Sequence, residues 1–197
     1  MVSKEVEKLL LKVQKPGRYV GGELNEVIKD KKKVDCRFAF CFPDTYEVGM
    51  SHLGMKILYS LMNAVPYIWC ERVFAPWVDM EEEMIKHNIP LYALESGDPV
   101  SDFDFIGFTL QYELSFTNML NMLRLSGVPI KSCDRKELKN IVVAGGPSIF
   151  SSSVRVKRLT LRLLNFSESA ESRVNQNRSF LNSHLKLRVY MFLHSMM

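Results

Sequence analysis

The sequence has no long apolar run and no hydrophobic N-terminal stretch. Lys, Arg, Glu, Asp or Asn interrupts every apolar segment of the 197 residues before it reaches the roughly 18 residues that a bilayer span requires. The first residues, MVSKE, also lack the apolar core of a secretory signal. With 47% hydrophobic and 24% charged residues, the composition is that of an ordinary globular chain. We therefore expect a soluble, cytoplasmic protein.

Cysteine is scarce, and its spacing fits neither a metal site nor a disulfide framework. The four cysteines stand at positions 36, 41, 70 and 133, so none forms a C-x-x-C pair. Cys36, Cys41 and Cys70 lie within or beside apolar segments, where a free thiol packs as a small hydrophobe. We predict reduced, core-filling cysteines and no metal site built on them.

Glycine and proline are absent from the last 50 residues, although residues 1–147 hold all 10 glycines and all 8 prolines. The segment 148–197 has 8 lysines and arginines against 2 glutamates, a net charge of +6, whereas residues 1–147 carry −2. Since glycine and proline supply the turns of compact folds, such a segment is hard to thread through a domain. One interpretation is a basic arm for nucleic acid or an acidic partner. The scattered cations and the abrupt change favour a second, in which the reading frame shifts at residues 147–150 and leaves a foreign tail.

The rest of the chain alternates short apolar segments with helical periods. Residues 37–42 (RFAFCF) are apolar on both faces of a strand, as in a central strand covered on both sides. Further strands are predicted at 67–74, 103–110 and 141–144, and helices at 49–64, 78–87 and 113–126. This alternation indicates right-handed βαβ units. We predict an α/β domain over residues 34–147, a doubly wound, flavodoxin-like parallel sheet that is incomplete because a five-stranded order needs one more strand and helix.

An N-terminal arm over residues 1–33 is predicted ahead of this domain. It consists of a short helix after Ser3, an ordered loop at 14–23 (QKPGRYVGGE) and a solvated KKK run at 31–33. Within the domain, Gly107 marks a close approach of a neighbouring element. The 49–64 helix is predicted to face the sheet with one broad apolar stripe of Met50, Leu53, Ile57, Leu58, Leu61 and Met62.

The loops that follow the strands form the candidate site, because ligands of doubly wound sheets bind outside the carboxyl ends of the strands. These loops are residues 43–54 (PDTYEVGMSHLG), 111–113 and 145–147. Their candidate ligand-binding residues are Asp44, Tyr46, Glu47, Gly49, Ser51, His52, Gln111, Tyr112, Glu113, Gly145 and Gly146. The first loop has an alternative interpretation as a helix cap, and His52 has no partners at metal-ligand spacing, which favours a satisfied or solvent-facing imidazole.

Common cofactor motifs are absent from these loops. No G-x-G-x-x-G follows the first strand and no G-x-x-x-x-G-K-[ST] occurs, so a Rossmann dinucleotide site or a P-loop has no support. The third strand ends in Thr109-Leu110-Gln111, where a phosphoacceptor domain would need an aspartate.

Five segments occur in order along the chain: KPGRYVGGELN (15–25), FAFCFPDTYEVGMSHLGMKILY (38–59), WCERVFAPWVDME (69–81), LESGDPVSDFDFIGFTLQYELSFTNMLNML (94–123) and VVAGGPS (142–148). Together they resemble the N-terminal part of an uncharacterised bacterial family of radical S-adenosylmethionine (SAM) proteins. Members of that family begin with a cobalamin-binding-like domain. The resemblance, which stops at about Phe150, thus implies an accessory domain of that kind.

The resemblance also implies which cofactors to expect. The family continues with a radical domain, whose C-x-x-x-C-x-x-C motif holds a 4Fe–4S cluster and SAM; this sequence has no cysteines separated by 3 or 4. The D-x-H-x-x-G motif that supplies a cobalt ligand in some cobalamin domains is absent too, since Asp44 and His52 are 8 apart. Cobalamin is therefore a candidate only in a base-off or tail-in-pocket mode without that histidine.

Two hypotheses of function follow. The first is a truncated accessory domain of a radical SAM protein, whose partner is the radical domain and which is not catalytic alone. The alternative is a stand-alone α/β binding module whose basic tail engages nucleic acid or an acidic partner. Neither involves a membrane.

Overall fold

Four parallel strands form the central sheet of the domain. The computed structural model describes residues 3–135 and 140–146. The strands in these residues are β1 (Cys36–Phe42), β2 (Ile68–Phe74), β3 (Phe105–Thr109) and β4 (Ile141–Gly145). Their order is β2-β1-β3-β4, with Phe38 of β1 paired to Cys70 of β2 and Phe105 of β3. Because these are the first four positions of a flavodoxin-like sheet, the predicted α/β class is confirmed.

Within the described residues, five α-helices cover both faces of the sheet. They are α1 (Lys4–Leu10), α2 (Tyr46–Ser51), α3 (Leu53–Asn63), α4 (Val78–Lys86) and α5 (Ser115–Leu125). Short 3₁₀ helices occur at Pro16–Arg18, Lys31–Lys33, Val100–Asp102 and Ser132–Arg135. Helix α3 contributes to one hydrophobic core, whereas α1, α4 and α5 contribute to the other. The sheet is therefore doubly wound.

Strand β1 is buried on both sides, as its sequence predicts. Ala39 and Cys41 lie in the core beneath α4 and α5, while Phe40 and Phe42 lie in the core beneath α3. Gly107 on β3 is also explained, because a Cβ there would overlap the ring of Phe38.

The cysteines are free thiols. Cys41 and Cys70 are fully buried in the two cores, Cys36 is half-buried and Cys133 is exposed. Burial raises the pKa of Cys36 to about 12 and raises that of Cys41 and Cys70 as well. The core-filling prediction therefore holds for Cys41 and Cys70.

The predicted single helix at 49–64 is wrong, because the chain breaks it at His52. The backbone of His52 is extended, with φ −77° and ψ 112°, and separates α2 from α3. Its imidazole Nδ1 accepts the amide N–H of Met55 at 3.2 Å and so caps α3.

The predicted stripe on this helix is right for three residues and wrong for three. Met50, Leu58 and Met62 pack against the core that holds Met55 and Tyr59. Leu53, Ile57 and Leu61 are exposed to solvent. Apolar residues occupy most of the circumference of α3, interrupted by Lys56, Ser60 and Asn63, so periodicity alone does not identify the side that packs on the sheet.

The N-terminal arm packs onto the domain. The Ser3 hydroxyl caps α1 by accepting the amide N–H of Val6 at 3.3 Å. Val6 and Leu9 enter the core that contains Met80 and Met84 of α4. Burial of α1 thus adds apolar area to the α4 side of the sheet.

The free edge of β2 is covered by the segment that follows α4. The amide of Leu94 donates to the carbonyl of Arg72 at 3.0 Å, as a neighbouring strand would. The carboxylate of Glu95 accepts the Arg72 amide at 2.7 Å and the Arg72 Nε–H at 2.6 Å. Glu95 is 1% exposed, and burial raises its pKa while the Arg72 guanidinium opposes that rise.

Pro147 and the predicted tail at 148–197 lie outside the described residues. No helix within the described part of the chain is long and apolar enough to cross a bilayer.

Candidate functional site

The carboxyl ends of β1 and β3 meet at the topological switch point of the sheet. From β1 the chain continues through α2 and α3 to β2 on one side, and from β3 it continues through α5 to β4 on the other. In doubly wound folds, ligands bind at this position of the sheet. Of the predicted residues, Asp44, Gln111, Tyr112 and Glu113 belong to the loops that follow β1 and β3.

A hydrogen bond joins the two loops. The Tyr112 hydroxyl donates to Asp44 Oδ2 at 2.6 Å, and this bond raises the pKa of the phenol. Asp44 Oδ1 accepts the amide N–H of Thr45 at 2.7 Å, which fixes the carboxylate. Tyr112 remains 40% exposed, so a ligand can reach the pair.

Side-chain hydrogen bonds hold both loops in place. The Asn118 amide of α5 donates to the carbonyl of Pro43 in the β1 loop at 2.9 Å. In the β3 loop, the Gln111 amide donates to Thr109 Oγ1 at 2.6 Å. The carbonyl of Glu113 accepts the amide of Phe116 in the first turn of α5, and the residue is exposed. The β1 and β3 loops are therefore connected through side chains of both elements.

The Gly145-Gly146 turn lies beside the β3 loop. The amide of Leu110 donates to the carbonyl of Gly145 at 2.7 Å. Gly146 has φ 141°, and a Cβ at this position would overlap the carbonyl of Leu110. Only glycine allows the backbone to approach so closely, which brings the β3 and β4 loops together.

The other predicted residues of the first loop point away from the switch point. The Tyr46 hydroxyl donates to Glu23 of the arm at 3.1 Å, and Glu47 pairs with Arg18 at 2.9 Å and Lys15 at 3.2 Å. The hydrogen bond from Arg18 lowers the pKa of Glu47 to about 2. These two side chains hold the arm.

Gly49 and Ser51 make contacts within the fold and not at the switch point. Gly49 is buried beside the rings of Phe74 and Phe42, and the Ser51 hydroxyl donates to the carbonyl of Val48 at 2.8 Å. Neither residue reaches the Asp44–Tyr112 pair through a contact.

A shallow recess, which the sequence did not predict, lies at the carboxyl end of β2. Its walls include Arg18, Tyr19, Tyr46, Phe74 and Tyr92. The Tyr92 hydroxyl donates to the carbonyl of Tyr19 at 3.1 Å, and Tyr19 Oη accepts the amide of Trp77 at 3.1 Å. Since the hydroxyls are engaged, the recess presents ring faces. The aromatic and basic run in the 14–23 loop is the signal that could have indicated it.

His52 does not fit a cobalt ligand. Because its Nδ1 accepts the Met55 amide, the neutral ring carries its proton on Nε2, the atom that would have to bind the metal. A ligating imidazole instead donates through its second nitrogen to a carbonyl or carboxylate. The imidazole ring also packs against the ring of Phe42 on the α3 side of the sheet, with 5.3 Å between the two centroids. The loop at the switch point is held from the other side of the sheet, by Asn118 of α5. Among the described residues, no group of three His, Cys, Asp or Glu side chains could hold a metal ion.

Comparison with protein families gives a match to the family described as radical SAM proteins, N-terminal. It spans residues 54–159, which is 106 of the 197 residues. The chain belongs to this family. No curated protein and no solved structure matches the chain.

Membership of the radical SAM N-terminal family confirms the predicted relationship to radical SAM proteins. It implies association with a radical SAM catalytic domain, where the family's 4Fe–4S cluster and SAM are expected. The match ends at residue 159, which is 12 residues beyond Pro147 and 9 beyond Phe150. The end of the match thus does not coincide with the change in composition.

Proposed function

We propose that this chain serves a radical SAM domain as a noncatalytic accessory domain and binds a ligand at the switch point between β1 and β3. The observation that carries this proposal is the 2.6 Å hydrogen bond from Tyr112 to Asp44 across the two loops. Ligands of doubly wound sheets bind at this position, and the family is defined by its place beside a radical SAM domain.

The chemistry of the pair indicates the kind of ligand. The Tyr112 proton is committed to Asp44, and the carboxylate has no proton to donate. The pair therefore offers oxygen acceptors, which suit a ligand bearing N–H or O–H groups such as amides. The glycine at 146 lets the β4 loop lie directly against Leu110 of the β3 loop, which keeps the two loops together beside the pair.

Cobalamin is the ligand class that the family resemblance suggests. The residues present do not fit a histidine-ligated cobalamin, because His52 holds its proton on the wrong nitrogen for a metal ligand. We assign His52 a helix-capping role and give cobalt no role in this domain.

Titration of the purified chain with hydroxocobalamin tests the site. We expect weak binding, lowered about fivefold to tenfold by Tyr112→Phe, because that substitution removes the phenolic oxygen that would accept one ligand hydrogen bond of roughly 1 kcal/mol. Tyr46→Phe is the matched control, since its hydroxyl bonds to the arm and lies outside the proposed site. His52→Ala is expected to leave the cobalamin spectrum unchanged.

Two results would contradict this assignment. Tight binding with a spectral shift that His52→Ala abolishes would show histidine ligation. Saturable binding that Tyr112→Phe does not alter would move the ligand away from the switch point. In the same preparation, anaerobic reconstitution with iron and sulfide should yield no cluster absorbance, because Cys41 and Cys70 are buried and the four cysteines are dispersed.

The alternative, a stand-alone module with a nucleic-acid-binding tail, gains no support from the family match. Its functional part, residues 148–197, lies outside the described residues. We therefore retain the accessory domain as the proposed function.

A further inference from the structure

Exposed apolar side chains flank the proposed ligand site at the carboxyl end of the sheet. Two of them, Trp77 and Val78, follow β2 and are 47% and 61% exposed. Two others, Tyr112 and Leu114, follow β3 and are 40% and 75% exposed. We name these four residues the carboxyl-end patch.

Asp44 of the β1 loop connects the two halves of the carboxyl-end patch. Its backbone carbonyl accepts the amide N–H of Ala75, two residues before Trp77, at 3.0 Å. Its carboxylate accepts the Tyr112 hydroxyl at 2.6 Å from the other side. The apolar side chains therefore stand on both sides of the Asp44–Tyr112 pair. All of them lie at one end of the sheet, because the carboxyl ends of parallel strands share an edge.

Two residues of the patch stand where helices usually begin with a polar residue. Trp77 precedes α4 and Leu114 precedes α5, and neither side chain accepts a hydrogen bond from the first turn. Ser, Thr, Asp or Asn at this position stabilises a helix more than an apolar residue does. Helices α1 and α3 follow this rule, since Ser3 and His52 cap them. Beside the proposed site the chain forgoes these caps and exposes apolar groups, which is typical of a functional surface.

Two features indicate which molecule covers the patch. The family is the N-terminal part of radical SAM proteins, so the catalytic domain follows it along the chain. The strands of the sheet are all parallel, and each of them, β4 included, leads the chain to the end that carries the patch. A further parallel strand would lead it to the same end. The catalytic domain is therefore connected on the side of the patch.

We propose that the carboxyl-end patch is the surface on which the radical SAM catalytic domain docks. This inference rests on the accessory role proposed above, because a ligand at the switch point can act with the catalytic domain only where the two domains face each other. Tryptophan and tyrosine are enriched among the residues that anchor protein interfaces. The Arg18 guanidinium lies over the Trp77 ring, 5.4 Å from its centroid, and helps to hold this anchor in place.

The outer face of α3 is a poorer surface for the same partner. Its exposed side chains, Leu53, Ile57 and Leu61, share the helix with Lys56 and Ser60. Helix α3 packs on one face of the sheet, whereas the proposed ligand site is at the carboxyl end. A catalytic domain bound to α3 would not face the ligand.

Binding of the full 197-residue chain to a separately expressed radical SAM domain from a member of this family tests the proposal. The N-terminal domain of the same member is the positive control. We expect saturable binding that Val78→Ser and Leu114→Ser each weaken about tenfold, because burial of one such side chain contributes at least that factor to an affinity. Ile85→Ser is the matched control. Ile85 is 50% exposed near the other end of α4, and its substitution should leave the affinity unchanged.

The melting temperature separates loss of the contact from loss of the fold. Serine is better than leucine at the start of a helix, so Leu114→Ser should melt at or above the temperature of the unmodified chain while it binds more weakly. A fall in both quantities would mean that Leu114 serves the fold, and would contradict its place in the docking surface.

The binding results distinguish failure of the surface from failure of the accessory role. Binding that both patch variants leave unchanged, or that Ile57→Ser weakens instead, overturns the docking surface and leaves the accessory role intact. If the control domain binds and this chain does not, the accessory role and the docking surface both fail. Dimers of this chain alone that Leu114→Ser dissociates would assign the patch to a second copy and also overturn the proposal.

Discussion

The two outer strands of the sheet differ in what covers them. Along β2, the backbone of Leu94 and the carboxylate of Glu95 occupy the free edge, and Lys29 of the arm donates to the carbonyl of Ile68 at its start. Along β4, pairing is with β3, and no described segment lies on the other side. An uncovered edge is a template for association, so sheets normally protect both edges. The free edge of β2 is thus covered by segments within residues 14–98. Any cover for the free edge of β4 has to come from residues outside those described.

The largest loss of stability should follow from removing the buried contact between Arg72 and Glu95 at the edge of β2. Glu95→Ala leaves the buried Arg72 guanidinium with Glu23 as its remaining carboxylate partner and frees the Arg72 amide at the edge. Breaking a buried ion pair from one side costs about 3–5 kcal/mol, and because Glu23 stays in place we expect a loss of unfolding free energy near the lower end of this range, about 3 kcal/mol. Urea denaturation of the full chain measures it.

Two further variants make this test specific. Glu95→Gln keeps the shape and an oxygen for the Arg72 amide, so it should lose less stability than Glu95→Ala. Glu82→Ala removes an exposed carboxylate from α4 and should change stability by about 0.5 kcal/mol or less. A loss below about 1 kcal/mol for Glu95→Ala would mean that the segment after α4 does not depend on this ion pair.

The elements of the sheet could be predicted because their signals are local. Phe40 and Phe42 alternate with Ala39 and Cys41, and burial on both faces leaves no ambiguity about a central strand. Helix α3 gave no such signal, because its apolar residues occupy most of its circumference and the side that meets the sheet is chosen by tertiary packing. The break at His52 depends on an imidazole acting as a cap, which residue type alone does not indicate.

The candidate site could be predicted in part, because its position follows from the topology of the sheet. Parallel strands place their following loops at one edge, and this rule brings Asp44 and Tyr112 together although they are 68 residues apart. The rule does not indicate where each side chain of a loop points. Tyr46 and Glu47 turn to the arm because Glu23 and Arg18 offer them partners there, and those partners lie earlier in the sequence.

The chain after β4 should be the first part that a protease cleaves. Residues 148–197 lack glycine and proline, so we predict that they do not form a matched strand and turn beside β4. Trypsin should cut first at Arg155, Lys157, Arg158, Arg162 or Arg173 and leave a fragment that ends near residue 150. We expect cleavage between residues 36 and 145 to be about a hundredfold slower, as for a folded unit. Mass spectrometry of a digestion time course identifies the cuts.

If residues 148–197 resisted trypsin as long as residues 36–145 do, the contrast between the two edges of the sheet would disappear. Such resistance would mean that residues 148–197 are a folded part of the domain, against the frame-shift interpretation. Since the family match continues to residue 159, the coding sequence from codon 147 to codon 159 is the place to look for a shift. Glycine, proline and a C-x-x-x-C-x-x-C motif in another frame would support it.

The smallest effect should come from the outer layer of the β2 side, where Glu47 holds Arg18 of the arm. The pKa of Glu47 is lowered to about 2 in the folded chain from its ordinary value of 4.5. A lowered carboxyl pKa stabilises the folded state at pH values above the unfolded pKa, and this contribution disappears as the pH falls through the folded pKa. We therefore expect the difference in melting temperature between the unmodified chain and Glu47→Gln to shrink as the pH is lowered from 5 to about 2. Glu82→Gln removes the same charge from α4 and should show no such convergence, so a parallel pH dependence of the two variants would assign the effect to net charge instead of the Glu47–Arg18 contact.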